Sequence, residues 1–203
     1  MDRIKAYIKN NSQNQSTSGF TMMELLVVIS IFVIISGMIL ADYPGFSERV
    51  ALERTAQEIA LSMREAETLA LSVRESVPGS GTFAGYGVHF ASANPREYIL
   101  FVDLPVGPGL PGNGVYDGVS EEIDHFFIEK TPQIVDICVN AETNPPGNCS
   151  VSFVDIVYLR PDPTITITSN ISGHPEFSVK VQTPRRNYSK EIIAWITGQI
   201  EIR

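Results

Sequence analysis

One carboxylate, Glu24, interrupts the start of the longest apolar stretch in this 203-residue chain, and no charged side chain follows it before Asp42. Counted from Phe20 to Ala41 the stretch is 22 residues, about 33 Å as an α-helix, enough to cross a hydrocarbon core of about 30 Å. Inserting a carboxylate there costs roughly 2.5 to 3.5 kcal/mol, so Glu24 either has a partner or marks the interfacial end of the helix.

The residues before the stretch have an unusual order. Arg3, Lys5 and Lys9 stand against Asp2, and a polar tract of Asn, Gln, Ser and Thr then runs to Gly19. A conventional secretory signal puts its small-residue cleavage site after the apolar region. Here the small residue comes first. Cleavage after Gly19 would release residues 1–19 as a basic leader and leave the apolar helix on a product beginning at Phe20.

Gly19, Phe20, Thr21, Glu24 and the aliphatic run Leu25, Leu26, Val27 and Val28 resemble, position by position, the processing motif of the type IV prepilin and type II secretion pseudopilin family. The resemblance implies cleavage between Gly19 and Phe20 by prepilin peptidase and N-methylation of Phe20. It also implies assembly, through the N-terminal helix, with other pilin or pseudopilin subunits at an inner-membrane assembly platform. In that family the glutamate neutralises the N-terminal ammonium of a neighbouring subunit, which assigns Glu24 to the Phe20 amine. The physics agrees, because each charge would otherwise be unpaired in a low-dielectric medium. Tip pseudopilins of the K type usually lack this glutamate, so its presence implies a subunit below the tip.

Charge sets the expected orientation. Beyond the apolar stretch, Arg49 and Arg54 are outnumbered by Asp42, Glu48, Glu53 and Glu58, whereas the leader is basic. The leader is expected in the cytoplasm and the C-terminal region outside it, on a single-pass protein of the cytoplasmic membrane that then enters a filament. Loss of the leader moves the formal net charge from −8 to −10. So acidic a product argues against direct nucleic-acid binding, leaving only an indirect role in a DNA-uptake system.

Past Asp42 the pattern becomes amphipathic. Leu52, Ala56, Ile59, Met63, Ala66, Ala70 and Val73 recur at alternating spacings of four and three, which predicts a helical stripe packed on the chain's own globular domain, with a coiled-coil seam as the alternative. Tyr43, Pro44 and Gly45 predict a kink or local unwinding between the two helical halves.

From residue 76 onward Pro, Gly, Thr and β-branched residues dominate, and segments 83–91, 97–103, 123–129, 133–139, 150–159, 164–169, 176–183, 190–197 and 199–203 read as short strands. The expected fold is α+β and pilin-like: a long N-terminal helix packed on an antiparallel sheet or sandwich. The divisions are a leader 1–19, a transmembrane helix and filament core 20–41, an amphipathic continuation 42–75, and a β-rich extracytoplasmic domain 76–203. Gly85 to Phe90, Tyr98 to Asp103, Gly112 to Gly118 and the ending Ile192 to Ile202 resemble the globular domain of H-type minor pseudopilins, from which the Pro-Gly-rich insert 105–111 departs. The functional alternatives are a major pilin subunit and a membrane-anchored binding domain that does not polymerise.

Two further groups stand out. Asp103, Asn113, Asp117, Glu121, Glu122 and Asp124 offer the oxygen ligands that Ca²⁺ prefers, yet without EF-hand spacing, and a solvated acidic hairpin loop accounts for them better than a calcium site does. No other cofactor is expected. Cys138 and Cys149, the only cysteines, flank a turn-rich segment and outside the cytoplasm are expected to form a disulfide. The chain has no HExxH, no GxSxG and no phosphate-cradling glycine loop, and His89, His125 and His174 are scattered. It is therefore expected not to be an enzyme.

Overall fold

The computed structural model describes residues 19–72, 83–107, 110, 112–129, 131–145, 147–159, 165–171 and 174–203. The leader up to residue 18 and Val73 lie outside them. Two compact units are present, Met1–Tyr43 and Pro44–Arg203.

Helix α1 spans Met22–Leu71. Its pattern passes through Pro44 without a break, so the expected unwinding at residues 43–45 is corrected. A proline removes a single N–H from a helix this long, and the turns on both sides keep their own bonds. Exposed pairs reinforce the second half, Arg54 to Glu58 at 2.7 Å and Arg64 to Glu67 at 2.6 Å. At the C-terminal end the Ser72 amide and hydroxyl both donate to the carbonyl of Leu69, at 3.1 and 2.6 Å.

Among the described residues nine strands follow: β1 Gly85–Ala91, β2 Glu97–Asp103, β3 Glu122–Phe127, β4 Gln133–Val139, β5 Phe153–Tyr158, β6 Ile165–Ser169, β7 Glu176–Gln182, β8 Ser189–Trp195 and β9 Ile200–Ile202. They form a five-stranded sheet in the order β3-β2-β1-β5-β6 and a four-stranded sheet in the order β4-β7-β8-β9, antiparallel throughout. The fold is α+β, one long N-terminal helix packed on antiparallel sheets. Thr197 and Gly198 make the turn between β8 and β9, with Gly198 at φ 83°.

The helical stripe packs inward. Ala56, Ile59, Met63 and Ala66 are fully buried in one core with Val88, Phe90, Leu100, Val154 and Ile156 of the first sheet and Phe177, Val179, Val181 and Ile192 of the second. Ala56, Ala66 and Ala70 on the stripe let the helix approach the sheets closely. The Ser62 and Tyr98 hydroxyls meet at 3.2 Å inside this contact, and burial pushes the Tyr98 phenol up to about 12.

The centre of the five-stranded sheet is buried on its other face as well. Period-two alternation sends Ile99, Phe101 and Val157 outward, and there they form a second, smaller core with Tyr116 and Leu159. Tyr116 belongs to the β2–β3 connection, which lies across this face: its ring sits 5.5 Å from that of Phe101 and 4.9 Å from that of His89. Its N–H donates to the buried Asp155 carboxylate at 3.3 Å, and Asp155 also lies 2.6 Å from Nδ1 of His89. His89 and Asp155 thus help pin this covering segment to the sheet.

Candidate processing and assembly site

Gly19, Phe20 and Thr21 precede α1 in non-helical, exposed backbone, and Met22 opens the helix. Thr21 ends the non-helical segment and caps the helix. Its hydroxyl accepts the Glu24 N–H at 3.2 Å, and its carbonyl accepts the Leu25 N–H at 3.1 Å. Thr-x-x-Glu is the sequence form of a capping box, worth about 1 kcal/mol for the threonine. The Gly19–Phe20 peptide therefore lies outside the helical hydrogen-bond ladder, in exposed non-helical backbone.

Glu24 falls in the first turn, where the helix dipole favours a negative charge. Among the described residues its carboxylate has no hydrogen-bond or ion-pair partner. The apolar residues that follow, from Leu25 through Leu40, are likewise uncovered. Ser30 disposes of its own polar group by donating to the Leu26 carbonyl at 2.7 Å. This first unit is thus an apolar rod, long enough to cross a membrane, with a lone carboxylate at its start. So large an apolar surface requires lipid or other helices around it.

Cys138 and Cys149 form a disulfide. The segment it closes is held a second time by the buried Glu176, whose Oε1 accepts the N–H groups of Glu142 and Thr143 at 2.5 and 3.0 Å. Sequence reasoning missed Glu176, because a glutamate at the start of a strand ordinarily faces water.

The acidic residues of the β2–β3 connection do not all face solvent, and for two of them the solvated-loop expectation is corrected. Asp103 and Glu121 are buried. Asp103 accepts the Gly114 N–H at 3.0 Å, while Glu121 accepts the N–H groups of Leu104 at 3.0 Å and Asp117 at 2.8 Å. They act as internal acceptors that fold the segment back onto the sheet. Gly112 makes this possible, since a Cβ there would occupy the space of the Asp103 carboxylate. Asn113 donates to Asp117 at 2.8 Å, and Glu122 accepts from the Tyr116 hydroxyl at 3.3 Å. Among the described residues no group of three or more His, Cys, Asp or Glu side chains is placed to hold a metal ion.

Burial, with Glu121 and Asp117 nearby, raises Asp103 to about 6 from the usual 3.8, against the lowering effect of its bond from Gly114. A carboxyl raised by folding is penalised when ionised, so stability falls as pH rises through 6 and the penalty vanishes below about pH 4. Asp103→Asn is therefore expected to stabilise the protein by on the order of 1 to 2 kcal/mol at pH 7.5 and to be neutral at pH 4. Urea unfolding at the two pH values in the presence of a chelator checks this; equal effects at both would refute the assignment.

Residues 14–40 match the family described as the prokaryotic N-terminal methylation motif. The matched span contains Gly19, Phe20, Thr21 and Glu24 and the first half of the apolar helix, and it supports a type IV pilin-like precursor processed by prepilin peptidase and anchored in a membrane. No curated protein and no solved structure matches the chain.

Proposed function

We propose that this chain is a minor pilin or pseudopilin, a structural subunit cut between Gly19 and Phe20, N-methylated at Phe20, and assembled through its apolar helix into a type IV pilus or a type II secretion pseudopilus. The observation that carries the reading is Glu24: a carboxylate without a partner among the described residues, in the first turn of an uncovered apolar helix, beside the peptide that the motif marks for cleavage. A plain anchor has no use for that charge. In a bundle of such helices the new ammonium of Phe20 on one subunit and Glu24 of its neighbour would satisfy each other in a medium where either alone is costly. The other expected partners are the assembly platform and the subunits above and below.

The minor-subunit reading draws on the likeness of the β1, β2 and β8–β9 segments to H-type pseudopilins. Its role is to present the sheet domain for initiation of the filament or contact with cargo.

Intact-mass and N-terminal peptide analysis of the membrane-associated protein, made with and without prepilin peptidase, tests the processing step. The expected product begins at Phe20, carries one added methyl, and forms only with the peptidase. A chain still beginning at Met1, or cut beyond Ala41, would defeat the proposal.

A further inference from the structure

Asn113-Gly114 is the only Asn-Gly pair in the chain, and the β2–β3 connection needs its glycine. Gly114 takes φ 73°, in the left-handed region where a side chain is strained. It lies against β6, where an added Cβ would sit 3.4 Å from Oγ1 of Thr168. The same lack of a side chain leaves the Gly114 nitrogen unhindered beside the amide carbon of Asn113. In a free chain such a pair cyclises: the deprotonated Gly114 nitrogen attacks Asn113 Cγ, the N–Cγ bond forms as the Cγ–Nδ2 bond breaks, and ammonia leaves. Water then opens the five-membered imide at either carbonyl, giving aspartate or isoaspartate with no oxidant or reductant involved.

In the folded chain the groups that this reaction must move are held. Gly114 N–H is buried and donates to Oδ2 of Asp103 at 3.0 Å. The attacking nitrogen anion would therefore form against a carboxylate that is itself 1% exposed, where like charge and exclusion of water both oppose it. Asn113 Oδ1 accepts the Val115 N–H at 2.9 Å, and Asn113 Nδ2 donates to Oδ2 of Asp117 at 2.8 Å. The side-chain amide cannot swing onto the Gly114 nitrogen while both bonds are made. Asn113 itself is exposed, so water reaches it.

We propose that Asn113 is a self-modification site gated by the fold. It is protected while residues 112–117 lie on the sheet, it deamidates when they lift, and the converted segment then seats poorly. Aspartate at 113 replaces the Nδ2 donor by a carboxylate oxygen facing Asp117, and isoaspartate also inserts a backbone carbon before the Gly114 N–H. Either product adds a negative charge to a connection that already carries Asp103, Asp117 and Glu121. The face left without its cover is the apolar one of Ile99, Phe101 and Val157. The reaction is thus a one-way record of opening, and it is the same whether or not the chain joins a filament.

The test follows Asn113 by peptide mass analysis in full-length protein held in detergent and mildly alkaline buffer, with and without urea. Conversion of the folded parent is expected to be slower than that of the unfolded chain by roughly tenfold or more. Without urea, Asp103→Ala should convert on the order of tenfold faster than the parent, as loss of a hydrogen bond to a charged group implies. Asp103→Asn keeps an oxygen acceptor for the Gly114 N–H and should stay at the parental rate. Asp117→Ala, at the exposed surface, releases only Nδ2 and should accelerate conversion by a smaller factor. Parental amide exchange in β1 and β2 shows that a variant is folded, and if Asp103→Ala does not meet it, Asp117→Ala decides. Converted molecules, separated by charge, should exchange faster at the Leu104, Gly114 and Asp117 amides. A parent that converts as fast folded as unfolded, or folded Asp117→Ala and Asp103→Ala no faster than the parent, would overturn the proposal. Equal rates for Asp103→Asn and Asp103→Ala would remove Asp103 as the guard, and parental exchange in converted molecules would remove the one-way step.

Discussion

A Glu24→Ala precursor should be cleaved and inserted like the parent and then be nearly missing from filaments. The parent carboxylate already bears an insertion cost of roughly 2.5 to 3.5 kcal/mol, so its removal does not hinder entry into the bilayer. Under the proposed assembly, what the variant lacks is the counter-charge for a neighbour's Phe20 ammonium. Leaving that ammonium unpaired among apolar helices costs a comparable amount, a deficit of roughly 100-fold in the partition between membrane and filament. Glu24→Gln should fall between the two, since it keeps an acceptor and loses the charge. Comparing the sheared filament fraction with the membrane fraction measures the ratio directly, and a parental ratio for Glu24→Ala would rule out the pairing mechanism.

Shortening Met63 to alanine should cost about 2 to 5 kcal/mol of folding stability. Met63 is fully buried where α1 crosses the sheets, with Ile59 and Ala66 beside it in the same core. Loss of its side chain opens a cavity that neighbouring small residues cannot fill. The measurement is urea unfolding of the full chain in detergent at two protein concentrations. A midpoint that falls equally at both concentrations is the signature of an internal core. Were the stripe an intersubunit seam, the midpoint would depend on concentration and the variant would chiefly weaken association.

How far the sequence could be read depended on which forces act locally. The strands were legible because alternation is a local signal: Val88, Phe90, Tyr98 and Leu100 point to the core, and the positions between them point away. The helical stripe was legible for the same reason, whereas the sequence reading counted the helix from Phe20 and overlooked the Thr21-x-x-Glu24 cap that starts it at Met22. Pro44 misled as to unwinding, since the helical turns on both sides of it continue. The β2–β3 connection was misjudged for a tertiary reason. Its acidic composition describes a water-facing loop, yet Asp103 and Glu121 spend their oxygens on backbone N–H groups contributed by residues 104–117. The warning lay in β2, where Ile99 and Phe101 make the outward face apolar and therefore require a cover. Asp155 was hidden similarly, one carboxylate among Val154, Ile156 and Val157, whose partners His89 and Tyr116 arrive from distant parts of the chain.

The disulfide between Cys138 and Cys149 has a bearing on the life history of each molecule. Thiols pair in an oxidising compartment, whereas the proposed cut at Gly19 removes a leader expected to stay on the cytoplasmic side. Under that orientation the two covalent changes occur on opposite faces of one membrane, and neither can stand in for the other. A subunit that carries both is its own passport, stamped once on each side of the border. The proportion of doubly marked chains in a cell extract would count the molecules that have completed the crossing.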